Sequence, residues 1–282
     1  MIINKTLIAI LFMILGALIL AIQNTLVKAL SFFYPIWEIV FFRGLSGTII
    51  SFFLLLFFGF TKLTTTKPIV HLIRAFSSVF CIVFFFFGLK YLLFAENQAL
   101  LHTAPIIATL LALPFLGEKI KLGNLLAIFF GFIGIIIIIK PSYSLFNFYA
   151  LLPLASAFFM ATTYIATRYL MDTESSVTVI FYYSIALLFT SIFFLPNNFI
   201  IPETSHLILL FSLGVTGSIG HYFLSQAGRY AEVRIITPFE YTGFIFVALI
   251  GYLFFNEILS LRVILGALFI ICSGSYIIYK TR

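Results

Sequence analysis

Charge is what this chain has least of. Only 9% of its 282 residues are Asp, Glu, Lys or Arg, and 9 residues in all are acidic. A soluble domain carries about a quarter charged residues, so an ordinary water-soluble enzyme or regulator is excluded. No hydrophilic stretch is long enough for a separate soluble domain. Cysteine is nearly as scarce: Cys81 and Cys272 are singletons inside apolar runs, and they read as small packing residues, not a disulfide. The 4 His show no metal-ligand spacing, and no phosphate-cradling Gly-x-x-x-x-Gly-Lys-Ser/Thr loop occurs anywhere. The chain therefore calls for no metal and no cofactor, and ATP is not its energy source.

Apolar residues fill the space: 63% of the chain is hydrophobic, with 38 Phe. A helix crossing hydrocarbon needs about 20 mostly apolar residues, so 282 residues leave room for roughly ten. Turn-like breaks at 62–68, 141–147, 172–176 and 196–202 help place spans at roughly 7–27, 36–60, 70–90, 97–116, 122–140, 148–168, 176–196, 206–227, 235–255 and 261–279. Met1 to Lys5 before an apolar run looks superficially like a signal peptide. No cleavage site follows, and a retained first helix is expected. The fold class is thus an all-α integral membrane protein with ten transmembrane helices.

Basic residues orient the chain. With the N-terminus on side one, that side receives Lys5, Lys62, Lys67, Arg74, Lys119, Lys121, Arg168, Arg229, Arg234, Lys280 and Arg282, while the other receives Lys28, Lys90, Lys140 and Arg262. This bias puts both termini in the cytoplasm. The net charge of +7 is then topology plus attraction to anionic lipid. No basic face remains outside the membrane for nucleic acid.

One stretch is written twice. Ala95-Glu96, Pro105, Gly117-Glu118-Lys119 and an apolar helix ending at Lys140-Pro141 are answered by Ala231-Glu232, Pro238, Asn256-Glu257 and an apolar helix ending at Lys280. The copies lie five helices apart, an odd offset that inverts the second. Two five-helix halves, 1–141 and 142–282, are expected to face each other across the midplane, where carriers of this build hold substrate. Glu118 and Glu257 then fall at opposite surfaces.

The Gly117-Glu118-Lys119 turn and its Asn256-Glu257 partner resemble the Gly-Glu signature that closes the fourth and ninth helices of EamA-type drug/metabolite transporters. Lys28, Pro35 and Arg43 also fall where that family carries Lys, Pro and Arg. The resemblance implies two inverted EamA repeats in a bacterial inner membrane, alternating access, and a small-molecule substrate, in a monomer or homodimer among membrane lipids. Within the family, 37–43 and 67–74 are most similar to S-adenosylmethionine uptake carriers. The family's basic residue in the Pro238-Phe239-Glu240-Tyr241 segment is replaced here by Glu240.

Ionisable groups inside spans carry the mechanism, because an isolated charge in hydrocarbon costs about 3 kcal/mol or more. Glu240 follows Pro238, whose missing N–H opens the helix. It is a candidate for a substrate cation or a coupling proton, against a fixed ion pair with Arg229 or Arg234. Pro105 makes the matching break in span four, beside His102 and Thr103. Arg43 is a candidate for a substrate carboxylate, against a structural salt bridge. Glu38, about 140° away around the same helix, is expected solvated near the outer end. Lys28 and Lys90 are expected to snorkel at helix ends, and His71 and Arg74 to meet lipid phosphate. His102 and His221 are candidate relay groups. Tyr34 and Trp37 read as interface anchors; Tyr164, Tyr182, Tyr183, Tyr222 and Tyr241 lie deeper, where a hydroxyl needs a partner. Tyr183, Tyr222 and Tyr241 join the candidate substrate site, with Pro105 and Pro238 as gating positions. Glu118, Glu257 and Lys28 read as structural. Gly214, Gly217, Gly220, Gly266 and Gly274 read as close-approach points.

Three function classes follow. A secondary carrier fits the duplication and the mid-span charges. Its best substrate reading is S-adenosylmethionine, whose carboxylate and cationic groups would suit Arg43 and Glu240; export of amino acids or other metabolites is the alternative. An intramembrane serine protease would use Ser46 in Gly44-Leu45-Ser46-Gly47 with a His base. A membrane scaffold would need none of these charges.

Overall fold

The computed structural model describes residues 5–58, 65, 67–116, 122–139, 148–170, 176–195, 199–230 and 239–280, and their regular structure is entirely helical. Spans one to three are α1 (Lys5–Leu30), α2 (Ile36–Phe58) and α3 (Pro68–Tyr91). Span four is split into α4 (Phe94–Leu101) and α5 (Ala104–Leu116). Spans five to eight are α6 (Leu122–Ile139), α7 (Leu151–Leu170), α8 (Ser176–Phe193) and α9 (Thr204–Tyr230). Span nine contains α10 (Thr242–Phe255) and span ten is α11 (Leu261–Lys280). Glu118, Pro238, Arg234 and the Arg229 side chain lie outside the described residues.

The helices pair as an inverted duplication requires. Span one packs on span eight and span three on span six; span two packs on eight and span three on seven; spans two and seven, four and nine, five and ten pack on each other. Adding five to each member of a pair returns another pair, or the same one. Polar links mark the two equivalent interfaces. In α1, Gln23 donates to the Leu213 carbonyl of α9; in α7, Ser156 donates to the Cys81 carbonyl of α3 at 2.7 Å. In hydrocarbon such a link satisfies a polar side chain that has no water to turn to.

Close approach at glycine supplies the rest. A Cβ on Gly214 of α9 would collide with Ser46 and the Gly47 backbone of α2. In the seam between α6 and α11, a Cβ on Gly134 would lie 2.7 Å from the Gly266 carbonyl oxygen, and one on Gly266 equally close to that of Gly134. Small residues let backbones touch where no hydrophobic effect drives association. Outward, the bundle shows Phe53, Ile69, Phe76, Phe129, Phe193 and Ile208, a surface suited to lipid.

Contacts between helix ends follow the alternation of the chain. Lys28 at the end of α1 meets Glu257, just past α10, and Leu92, between α3 and α4. Tyr34 bonds His206 at the start of α9, and Tyr91 stacks on Tyr149 before α7. At the other end Lys67 donates to the Tyr169 carbonyl and Phe12 stacks on Tyr230. Each contact joins ends that ten alternating spans place on one face.

Candidate functional site

Spans four and nine break where they cross. In span four, α4 ends at Leu101 and α5 opens at Ala104; Thr103 donates its hydroxyl to the Leu100 carbonyl, and Pro105 supplies no N–H. In span nine, residues 239–240 are helical, Tyr241 is a turn, and α10 opens at Thr242, whose hydroxyl donates to the Phe239 carbonyl. The two breaks touch: the His102 and Tyr241 rings meet edge to face at 4.9 Å. Each half thus interrupts one helix, and the two discontinuities share one spot between the repeats.

Beside this crossing is a cavity of about 50 Å³. Its polar wall is Asn24 from α1, Gln98 from α4, His102 at the break, and Glu240; the rest is apolar, including Leu20, Leu224 and Val247. Gln98 Nε2 and His102 Nε2 are 3.4 Å apart, and the buried Gln98 Oε1 has no hydrogen-bond partner. Asn24 and Gln98 were not singled out from sequence. The available signal was Gln98 one turn before His102, with Asn24 uncharged but polar inside an apolar run.

A second group of charges surrounds Arg43. The Arg43 guanidinium is 6% exposed and sits over the Phe86 ring at 5.3 Å. Tyr183 and His221 each feel the charges of both Arg43 and Arg74. His221 is exposed on α9 and lies within electrostatic reach of two arginines on other helices. Tyr164, 39% exposed, lies within electrostatic reach of Glu240, Tyr241 and Cys81 and so links the two groups. Tyr222 stands apart, 53% exposed on α9 against Phe223.

Several expectations are corrected by these contacts. Lys28 does not snorkel: it is 5% exposed, its Nζ lies 2.5 Å from Glu257 Oε1 and donates to the Leu92 carbonyl at 2.9 Å, between the Phe94 and Phe255 rings. Glu257 Oε2 also accepts the Phe94 N–H that opens α4, at 2.6 Å. A helix N-terminus attracts a carboxylate, and the ion pair neutralises it. Glu38 is not solvated: it is fully buried, and Oε1 accepts the Ile200 N–H at 3.0 Å. His71 and Arg74 turn inward, away from lipid headgroups; His71 packs on Tyr182 and Arg74 donates to Thr167 at 2.8 Å. Tyr34 is buried, with its hydroxyl 2.9 Å from His206 Nδ1. The structural salt bridge expected for Arg43 is not found: among the described residues the only ion pair is Lys28–Glu257. The proposed partners of Glu240, Arg229 and Arg234, lie outside those residues.

Two further features narrow the chemistry. Ser46 spends its hydroxyl on the Phe42 carbonyl at 2.7 Å and packs under Gly214, so it is no nucleophile. A larger hollow of about 500 Å³ lies between α6 and α11, lined by groups such as Leu126, Phe130 and Leu268, with no charged side chain to meet a polar metabolite.

The EamA-like transporter family matches twice, over residues 7–140 and 147–279. The chain is 29% identical over 260 residues to the pseudopaline exporter CntI of Pseudomonas aeruginosa PAO1, covering 92% of this chain and 91% of that protein. It is 27% identical over 246 residues to an S-adenosylmethionine uptake transporter of Rickettsia bellii, covering 87% and 84%. A solved crystal structure superposes with a TM-score of 0.63 at 18% identity, covering 96% of this chain and 95% of the other; it attests the fold alone.

Proposed function

The chain belongs to the EamA-like transporter family, and we propose that it is a secondary carrier taking up S-adenosylmethionine or a closely similar zwitterion by alternating access. The site is the interior between the two halves, in a bacterial inner membrane with both termini cytoplasmic. The observation that carries this reading is Arg43. A guanidinium buried without a carboxylate among the described residues is expensive in hydrocarbon, and a substrate carboxylate removes the expense on arrival. A planar fork of N–H donors suits that group better than a point charge. Tyr183, His221 and Arg74 extend the same wall, and aromatic rings such as Tyr164 and Tyr183 offer faces to a sulfonium or a purine. The relative named for S-adenosylmethionine uptake supports the substrate class. The relative named for pseudopaline export supports a second reading, in which the same site empties outward.

Counterflow of labelled S-adenosylmethionine in proteoliposomes tests this. Wild type is expected to exchange label. Arg43→Ala is expected to weaken exchange roughly 10- to 100-fold, the equivalent of one charged hydrogen-bonding partner. No exchange by wild type, with another metabolite carried instead, retires the substrate assignment; undiminished exchange by Arg43→Ala removes Arg43 from the site.

A further inference from the structure

We propose that the small cavity at the crossing of the broken helices is the coupling site of the carrier, and that its ligand is a proton held on the Glu240 carboxyl group. The proposal rests on the carrier reading above but not on the identity of the metabolite.

The size of the cavity limits what can enter. A water needs roughly 10–15 Å³ measured in this way, so about 50 Å³ admits a few waters and no metabolite. The cavity is therefore separate in use from the Arg43 wall. Its lining decides the ion. A dehydrated sodium ion in such a site would need a shell of several oxygens, and here only Glu240, Asn24 and Gln98 bring side-chain oxygens, among Leu, Val, Ala and Gly. A proton needs a single carboxylate oxygen and a neighbour to hold the resulting O–H. Gln98 Oε1, buried and without a partner, is an acceptor already present at the cavity.

Among the described residues the groups facing Glu240 are few. His102 comes from the break between α4 and α5, Tyr164 from α7, and Tyr241 from its own turn. Helix α1 brings Asn24 and α9 brings Leu224 to the cavity, neither of which titrates near neutral pH. Among the described residues no cation pairs with Glu240. Without a cation partner, an ionised Glu240 opposes any rearrangement that further closes the site around it, by the same cost of an ion in hydrocarbon. Protonation forms the O–H bond, cancels the charge and lifts that restraint; release of the same proton on the opposite side restores it. Both breaks meet at this point, so the group that titrates sits where each half bends.

Two measurements on the full-length protein test the assignment. Infrared titration of the purified carrier in detergent is expected to show a buried carboxylic-acid C=O band that shifts in D2O, disappears in Glu240→Gln and persists in Glu38→Gln. A missing band, or one that survives in Glu240→Gln, overturns the proposal whatever the substrate is. In proteoliposomes, wild type is expected to accumulate labelled S-adenosylmethionine under a pH gradient. Glu240→Gln, a permanent mimic of the neutral state, is expected to lose gradient-driven accumulation at least tenfold. Accumulation driven by sodium at constant pH, or a pH-driven gradient response retained in Glu240→Gln, overturns it. Zero S-adenosylmethionine flux with the Glu240 band intact sinks the substrate reading and leaves the proton site standing.

Discussion

The two ends of the bundle are fastened by different chemistry. Where α1 and α3 finish, a buried ion pair ties Lys28 and Glu257 to the Leu92 carbonyl and the Phe94 N–H, so spans one, three, four and nine meet in one knot. Where α3 begins and α7 ends, the contacts among the described residues are to neutral acceptors: Lys67 reaches a Tyr169 carbonyl, Arg74 a Thr167 hydroxyl, while Glu118 lies outside those residues. An ion pair in a dry site is costly to separate, because each ion left behind has no water. A lone side-chain bond to a carbonyl near the surface is exchanged for water at little cost. The first end is therefore held by an interaction that must be dismantled as a unit, whereas Lys67 at the second is tied by a single exposed bond.

That contrast is open to attack by graded substitutions. Lys28→Met is expected to destabilise the protein by about 3–5 kcal/mol, since it leaves Glu257 buried and unpaired; thermal unfolding in detergent reads it. Lys28→Met combined with Glu257→Leu is expected to recover most of that loss, and a double-mutant cycle reports the coupling. Tyr34→Phe, at the same end, removes the hydroxyl that meets His206 at 2.9 Å and is expected to cost about 1 kcal/mol in the same assay. Lys67→Ala, at the opposite end, is expected to change stability by no more than about 0.5 kcal/mol. A Lys67 effect equal to that of Lys28 would erase the distinction between the ends.

Much of the scaffold was legible in the sequence because membrane helices announce themselves one at a time. Each span is a run of apolar residues, and hydrocarbon leaves the backbone no alternative. The break at His102–Thr103 was signalled by Pro105, and the meeting of His102 with Tyr241 was within reach once both prolines were matched. What escaped were partners brought together from far apart. Lys28 at a helix end looks like a snorkelling residue until a carboxylate from near the end of the chain is known to arrive there. Nothing local marks it, although both members of the pair belong to the signature shared with the family. Glu38 and Arg74 were misjudged for the same reason. Depth along one helix was readable, but the direction of the side chain depends on which neighbours surround it.

The glycine seam bears on alternating access. If the opposite state of the carrier is reached by exchanging the conformations of the two repeats, contacts between spans one and eight trade places with those between six and three. The contact of α6 with α11 is carried onto itself. Gly134 and Gly266, each lying on the other's carbonyl, then stay together through the whole cycle. Spans two with seven and four with nine map onto themselves in the same way, so on such an exchange the seam would be one of three pairings that keep their partners, and the one in which backbone meets backbone through glycine on both sides.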